Sequence, residues 1–94
     1  MRILVASNST SKRTDYFIKA GRSLGADTCF VTYDELSAVL PDCRDTVVKL
    51  EPPVFREADF RKYNLLCEEY RSLLSRLADT DKSESVHFLN EPAA

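Results

Sequence analysis

The stretch RILVASNSTSKRTDYFIKAGRSLGADTCFVTY, residues 2–33, decides the fold. It begins with the apolar run Arg2–Ala6, which is typical of a central strand covered on both faces. The apolar spacing over about residues 11–24 predicts a helix. Gly25 follows its last turn, where a residue with left-handed backbone conformation often ends a helix. Asp27–Tyr33 reads as a second strand. These residues therefore predict a right-handed, parallel strand–helix–strand unit.

The rest of the chain continues the alternation of strands and helices. It predicts a short helix over Asp34–Leu40, a strand over Thr46–Leu50, a long helix over Asp59–Leu77 and a last strand over Val86–Leu89. The short helix is predicted to be capped by Asp34 and ended by Pro41. Alternation of this kind predicts an α/β fold, with a small open parallel sheet and helices on both faces, which is Rossmann-like. If the long helix crosses to the other side of the first strand, the strand order is 2-1-3-4.

Composition limits the class of protein. The 94 residues fit one domain spanning 1–94, and a hydrophobic share of 44% with a charged share of 30% is that of a globular chain. A net charge of −2 predicts no attraction to nucleic acid or to an anionic membrane. No apolar run approaches the ~20 residues of a membrane span, and the N-terminus lacks the pattern of a signal peptide. We therefore expect a cytoplasmic location.

The turn after the first strand is the candidate binding site, because ligands of open α/β sheets bind beyond the carboxyl ends of the strands. It contains small polar residues and two cations, and those we consider for substrate binding are Ser7, Asn8, Ser9, Ser11, Lys12 and Arg13. Lys12 and Arg13 add positive charge at a helix N-terminus, where the helix dipole favours negative charge. A carboxylate or phosphate ligand would resolve that mismatch. Helix capping by the hydroxyl residues and solvation of the two cations is the competing interpretation.

A second candidate turn follows the third strand. It places Lys49, Glu51 and Pro53 near the first turn, although a stiff connector with solvated charges would look the same. No dinucleotide-binding or P-loop glycine motif is present in the chain. The three cysteines and the single histidine have no zinc-ligand spacing, so we expect no metal site. No nucleophile pattern lies near the histidine, and we expect no catalytic residue in this chain. His87 is expected to be a core or edge histidine.

Three segments in order carry a family resemblance: MRILVASNSTSKRTDYFIKAGRSLG, VVKLEPPVF and VHFLNEPAA. The chain resembles the N-terminal pre-ATP-grasp domain of ATP-grasp carboxylate–amine ligases, in the glutathione synthetase-like branch. That branch has a Lys/Arg–Asp–Pro–Pro turn after the third strand, a helix that bears tyrosine, and a final Asn-x-Pro segment. Here Glu51 replaces the Asp of that turn, Leu50 separates it from Lys49, and the ending contains Asn90 and Pro92.

The resemblance implies that this chain is the substrate-side domain of a peptide-type ligase, with Asn90 and Pro92 at the junction with the ATP-binding part. It implies ATP and Mg²⁺ as cofactors of the parent enzyme and none in this chain, which alone would be inactive. The implied partners are the ATP-binding domain and a carboxylate or peptide substrate, and a homo-oligomer is possible through surface left apolar for docking. Two alternatives stay open: a stand-alone flavodoxin-like module that binds a small anion or a partner protein, and a purely structural domain.

Overall fold

The protein is built around one sheet of four parallel strands in a computed structural model that describes residues 1–55, 60–80 and 86–88. The elements in chain order are β1 (Arg2–Ser7), α1 (Lys12–Ser23), β2 (Asp27–Thr32), α2 (Tyr33–Val39), a 3-10 turn (Leu40–Asp42), β3 (Thr46–Leu50), α3 (Phe60–Thr80) and β4 (Val86–Phe88). The strand order is β2-β1-β3-β4, with parallel pairing throughout. This confirms the predicted α/β fold and its order. The prediction that the long helix crosses to the other side of the first strand was wrong, because that connection contains α2 and the 3-10 turn, whereas α3 joins β3 to its neighbour β4.

Helix α1 begins and ends at the residues that its sequence indicates. Ser11 is the N-cap: its hydroxyl accepts from the Thr14 N–H at 3.3 Å, and its own N–H donates to Thr14 Oγ1 at 2.7 Å. Gly25 has a φ of +82°, and its N–H donates to the Arg22 carbonyl at 3.0 Å. A left-handed glycine after the last turn satisfies helix carbonyls that would otherwise lack donors. The predicted role of Gly25 is confirmed.

Helix α2 begins one residue earlier than predicted, and its cap is Thr32 rather than Asp34. The Thr32 hydroxyl accepts from the Glu35 N–H at 3.2 Å, while the Thr32 N–H donates to Glu35 Oε1 at 3.0 Å. This is a capping box, in which a Thr and a Glu three residues later satisfy each other's N–H groups. Because the cap is also the last residue of β2, the chain passes from strand to helix without a loop. The helix ends at Val39, just before the 3-10 turn that contains Pro41.

The larger core lies between the sheet and the layer formed by α2 and α3. Its buried members are Leu4, Ala6, Tyr33, Leu36, Leu40, Cys43, Val48, Leu50, Leu73, Leu77 and Val86. Alternate residues of β1 and β3 belong to it, as expected where successive side chains point to opposite faces. Helix α1 packs mainly on β1 and β2, on the other face, where Gly21 lies against the Thr28 side chain.

The apolar stripe predicted on the long helix is confirmed. Leu73 and Leu77 are fully buried, and Leu66, Tyr70 and Leu74 pack partly buried against the same core. The helix continues to Thr80, three residues past the predicted end, while its predicted first residue, Asp59, lies outside the described residues. The last strand is described for Val86–Phe88, with His87 exposed on this edge strand.

Candidate functional site

The candidate site lies at the carboxyl ends of β1 and β3, where the strand order changes direction. The chain runs from β1 to β2 on one side and returns to β3 on the other, so this is the switch point at which open α/β sheets bind ligands. The ladder between the two strands extends beyond β3, because the Glu51 N–H donates to the Ala6 carbonyl at 2.8 Å. The two predicted turns are therefore neighbours.

Asn8 clamps the β1 turn to the diproline turn. Its Oδ1 accepts from the Val54 N–H at 2.7 Å, and its Nδ2 donates to the Val54 carbonyl at 3.1 Å. The Ser7 hydroxyl lies 3.2 Å from the Pro52 carbonyl and has no exposed surface. Proline has no N–H to donate. Where the chain leaves the sheet at Pro52 and Pro53, no backbone N–H therefore needs an acceptor at these two residues. Side chains of the first turn bind three backbone groups of this segment, the Pro52 carbonyl and the N–H and carbonyl of Val54.

Tyr33, in the core between the sheet and the layer of α2 and α3, also fixes the diproline turn. Its hydroxyl donates to the Glu51 carbonyl at 2.6 Å, and the residue is only 2% exposed. Burial is the largest cause that raises the pKa of Tyr33 well above its ordinary value, so the phenol stays neutral and remains a donor. Its ring lies 6.3 Å from that of Tyr70. The first residue of α2 therefore takes part in holding the site.

The Glu51 side chain is a buried carboxylate between two cations. It is 6% exposed, with Oε2 3.5 Å from Arg13 Nη1 and Oε1 3.6 Å from Lys49 Nζ. Lys49 Nζ also lies 5.3 Å from the centre of the Phe17 ring. The sequence analysis predicted that a ligand would supply negative charge beside Arg13. In the structure Glu51 supplies part of that negative charge. The Glu51 charge also contributes to the raised pKa of Tyr70, after burial of that phenol.

Two cavities flank the diproline turn. One has a volume of about 280 Å³ and is lined by Asn8, Ser9, Val54, Phe55, Lys62, Tyr63 and Leu66. The other has a volume of about 320 Å³ and is lined by Ser11, Lys12, Arg13, Glu51, Pro52, Pro53 and Val54. The first volume lies just below, and the second just above, the lower limit of the ~300–1,000 Å³ that small-molecule sites occupy. Val54 separates the two spaces, so the predicted site divides into two halves.

The predicted site residues have different structural roles. Ser7 is enclosed, Ser11 caps α1 while lining the larger cavity, and Lys49 packs along Phe17. The predicted site residues that line one of the two cavities are Asn8, Ser9, Ser11, Lys12, Arg13, Glu51 and Pro53. The junction residues Asn90 and Pro92 lie outside the described residues.

Several contributors were missed from the sequence. These are Tyr33 and the cavity residues Val54, Phe55, Lys62 and Leu66. A usable signal was the run of aromatic residues that follows the diproline turn and continues into the start of α3. Phe55 and Tyr63 meet edge to face at 4.9 Å, and Phe55 lies 5.7 Å from Phe60.

No protein-family model, curated protein or solved structure gives a significant match to the chain. Within the described ranges, no group of three or more His, Cys, Asp or Glu side chains could hold a metal ion. In that same part of the chain, no helix has the length and apolar character needed to cross a membrane.

Proposed function

We propose that this chain is the N-terminal, substrate-side domain of an ATP-dependent carboxylate–amine ligase of the ATP-grasp type. The observation that supports the proposal most is that the two turns named by the family resemblance lie in contact. The β1 turn and the Lys49–Pro53 turn meet at the switch point of the sheet and are joined by the paired hydrogen bonds between Asn8 and Val54. A cavity that a small substrate could enter lies on each side of the contact between the two turns.

The proposed reaction has two steps. A substrate carboxylate oxygen attacks the γ-phosphorus of ATP, which gives an acyl phosphate and ADP. An amine then attacks the acyl carbon, inorganic phosphate leaves, and the amine nitrogen loses a proton. The ATP-binding domain, with Mg²⁺, would stabilise the transferring phosphoryl group. This chain would orient the carboxylate or peptide substrate, with Lys12 and Arg13 holding its anionic groups. We place the enzyme in the cytoplasm.

The test is an assay that does not require the amine to be known. The reading frame through the codon for Ala94 would be followed in the source genome, and the complete encoded protein would be expressed. Hydroxylamine traps acyl phosphates as hydroxamates, so a panel of small carboxylic acids and peptides would be incubated with ATP, Mg²⁺ and hydroxylamine. We expect hydroxamate that depends on ATP and on one class of acid.

The matched variants are Arg13→Glu in the cavity and Arg44→Glu in the loop before β3, both of which change an exposed arginine. The first should lower kcat/KM by about tenfold or more, since a charge-assisted hydrogen bond contributes about 1.5–3 kcal/mol. The second should leave it unchanged. Absence of hydroxamate from every acid, or equal loss in both variants, would reject the proposal.

A flavodoxin-like binding module is the second candidate, and the sheet order favours it. Order β2-β1-β3-β4 is shared with flavodoxin-like folds, in which a phosphate-bearing ligand binds at the same switch point. This candidate predicts saturable binding of a flavin mononucleotide or of inorganic phosphate to the isolated chain. Calorimetry with each ligand separates it from the ligase proposal, which predicts neither.

A further inference from the structure

The smaller cavity beside the diproline turn has two aromatic walls set almost at a right angle. The rings of Phe55 and Tyr63 meet edge to face, with their centres 4.9 Å apart and their planes inclined by 83°. Both residues line the cavity, together with Val54 and Leu66. Aromatic rings attract one another both in offset stacks and edge to face. A flat ring in this corner can therefore stack on one wall while its edge meets the other.

The two aromatic walls can be reached from solvent. Phe55 is 50% exposed, and Lys62, which also lines the cavity, is exposed as well. Tyr63 is held by its own helix, because a side-chain hydrogen bond with Cys67, one turn further along α3, is the largest cause that raises the pKa of its phenol. A ligand would thus meet a wall that is already in place. Covering the exposed part of the Phe55 ring would add hydrophobic stabilisation.

The polar side chains of the cavity include two donors, the Asn8 amide and the Lys62 ammonium. Asn8 is fixed by its two hydrogen bonds to Val54, in which Oδ1 accepts and Nδ2 donates one of its two hydrogens. Val54 is the only acceptor that the described residues provide for Nδ2. None of the described residues that line the cavity is acidic. The site therefore favours a ligand that brings an acceptor with negative charge.

Two other classes of ligand fit these walls less well. An aliphatic acid would use the two donors but would leave the faces of the rings without an aromatic partner. An aromatic amine would stack on the rings but would bring its positive charge towards Lys62, and no described carboxylate lines the cavity to offset that charge. A ligand that combines a flat aromatic ring with a carboxylate suits both the apolar and the polar walls.

We propose that the smaller cavity binds a small aromatic carboxylic acid, with its ring in the corner between Phe55 and Tyr63 and its carboxylate at the Asn8 amide and Lys62. The volume of about 280 Å³ suits a single ring with a short acidic side chain rather than a drug-sized ligand. The inference goes beyond the proposed function, which assigns anionic groups to the cavity of Arg13. It does not depend on ligase chemistry, because binding by the chain alone tests it.

NMR titration of the isotope-labelled chain with three probes tests the inference. Phenylacetate carries the full chemistry, cyclohexylacetate replaces the flat ring by a puckered apolar one, and phenethylamine replaces the carboxylate by an ammonium. We expect phenylacetate to shift the side-chain amide signal of Asn8 saturably. Its Kd should be at least about threefold lower than that of cyclohexylacetate, as aromatic pairing gives, and about tenfold lower than that of phenethylamine.

Two variants assign the contacts. Phe55→Leu should narrow the difference in Kd between the two acids, because one aromatic wall is lost while an apolar side chain remains. Lys62→Gln should weaken the binding of phenylacetate by about threefold and keep its preference over cyclohexylacetate. Lys19→Gln, which changes an exposed lysine of α1, should alter neither. The backbone amide spectrum of each variant establishes that it is folded.

Three results would overturn the inference. One is the absence of a saturable shift of the Asn8 side-chain amide with phenylacetate. Another is equal affinity of the unaltered chain for phenylacetate and either of the other probes, a comparison that does not depend on any variant. The third is a preference for the aromatic acid that persists unchanged in folded Phe55→Leu. Binding of phenylacetate without hydroxamate formation by the complete protein would keep this inference and reject the ligase, and the reverse pattern would reject this inference alone.

Discussion

At the scale of single residues, the site depends on backbone carbonyls that receive donors from distant side chains. The Tyr33 hydroxyl and the Asn8 amide bind the carbonyls of Glu51 and Val54, 18 and 46 positions further along the chain. The sequence identified Asn8 and Glu51 as site residues because polar side chains follow two strands that end at one edge. It did not identify Tyr33, because only the folded sheet brings the start of α2 against the end of β3.

Replacement of Tyr33 by Phe should destabilise the fold and alter its response to alkali. Loss of the hydrogen bond to the Glu51 carbonyl should lower the free energy of unfolding at neutral pH by about 1–2 kcal/mol. Burial raises the pKa of Tyr33, so the unfolded chain releases this proton above a pH of about 10 while the folded chain retains it. Stability due to Tyr33 is thus complete below that pH and is lost as the pH rises through the folded-state pKa.

Urea denaturation at neutral and alkaline pH checks this prediction. The difference between the native chain and Tyr33→Phe should narrow above a pH of about 10, because the variant has no phenol to ionise at that position. Tyr16→Phe is the control, since Tyr16 is 69% exposed. A constant difference across the pH range would contradict the assignment of the alkaline effect to Tyr33.

At the scale of the elements, most boundaries could be predicted because they depend on local chemistry. Ser11 and Gly25 bound α1 through hydrogen bonds to residues within one turn of the helix. The cap of α2 was wrongly assigned to Asp34, because the sequence pattern places Thr32 in a strand. In the structure Thr32 is both the last residue of β2 and the N-cap of α2. Local patterns rank neighbouring candidates poorly when one residue can end a strand and begin a helix.

The contact between α1 and β2 permits a strong test at Gly21. A Cβ at this position would overlap the hydroxyl of Thr28, so Gly21→Ala should cost about 1–3 kcal/mol of unfolding free energy, as other overpacking changes do. In the Thr28→Ala background, which lacks that hydroxyl, the cost should fall by about 1 kcal/mol or more. Thermal or urea unfolding of the four proteins in this double-mutant cycle gives the coupling.

Gly25→Ala is the matched control for that cycle. Gly25 has a positive φ, and nothing lies within 4 Å of an added Cβ. Its substitution should cost about 1 kcal/mol through backbone strain alone and should not depend on Thr28. Equal dependence of both glycines on Thr28 would contradict the proposed contact.

The junction between α2 and α3 contains a pair of acids. Burial, followed by the hydrogen bond and charge of Asp34, raises the pKa of Glu69 above its ordinary value of 4.5. The folded state therefore holds the proton more tightly, so stability due to this group is present at acid pH and is lost as the pH rises through the raised pKa. Glu69→Gln should raise the free energy of unfolding at neutral pH by about 0.5 kcal/mol.

The gain from Glu69→Gln should disappear below a pH of about 4, where the unaltered carboxyl is protonated and resembles the amide. Denaturant unfolding across this range measures the effect. Glu68→Gln, at the exposed neighbouring position, should show no gain that follows this pH profile. A gain from Glu69→Gln that persists at acid pH would show that charge repulsion is not its cause.

At the scale of the whole molecule, the sheet order could be predicted because few topologies are compatible with alternating strands and helices. The crossover from β1 to β2 leaves the other side of β1 open for β3, and α3 joins β3 to β4. The division of the site into two cavities could not be predicted, since it depends on where the diproline turn lies between α1 and α3. Spacing in the sequence contains no measure of that position.

The apolar surface beside the smaller cavity belongs to this scale, because it concerns what the molecule meets. Phe55 and Phe60 are 50% and 70% exposed, and their rings lie 5.7 Å apart. Exposed aromatic clusters of this kind favour association.

We expect the chain to self-associate at high concentration, and the double substitution of Phe55 and Phe60 by Ser should shift it to monomer in sedimentation velocity. Tyr16 and Leu24, exposed at 69% and 87%, provide the control pair, whose replacement by Ser should leave association unchanged. If both pairs act equally, association follows general surface hydrophobicity, and the aromatic cluster has no special role as a contact surface.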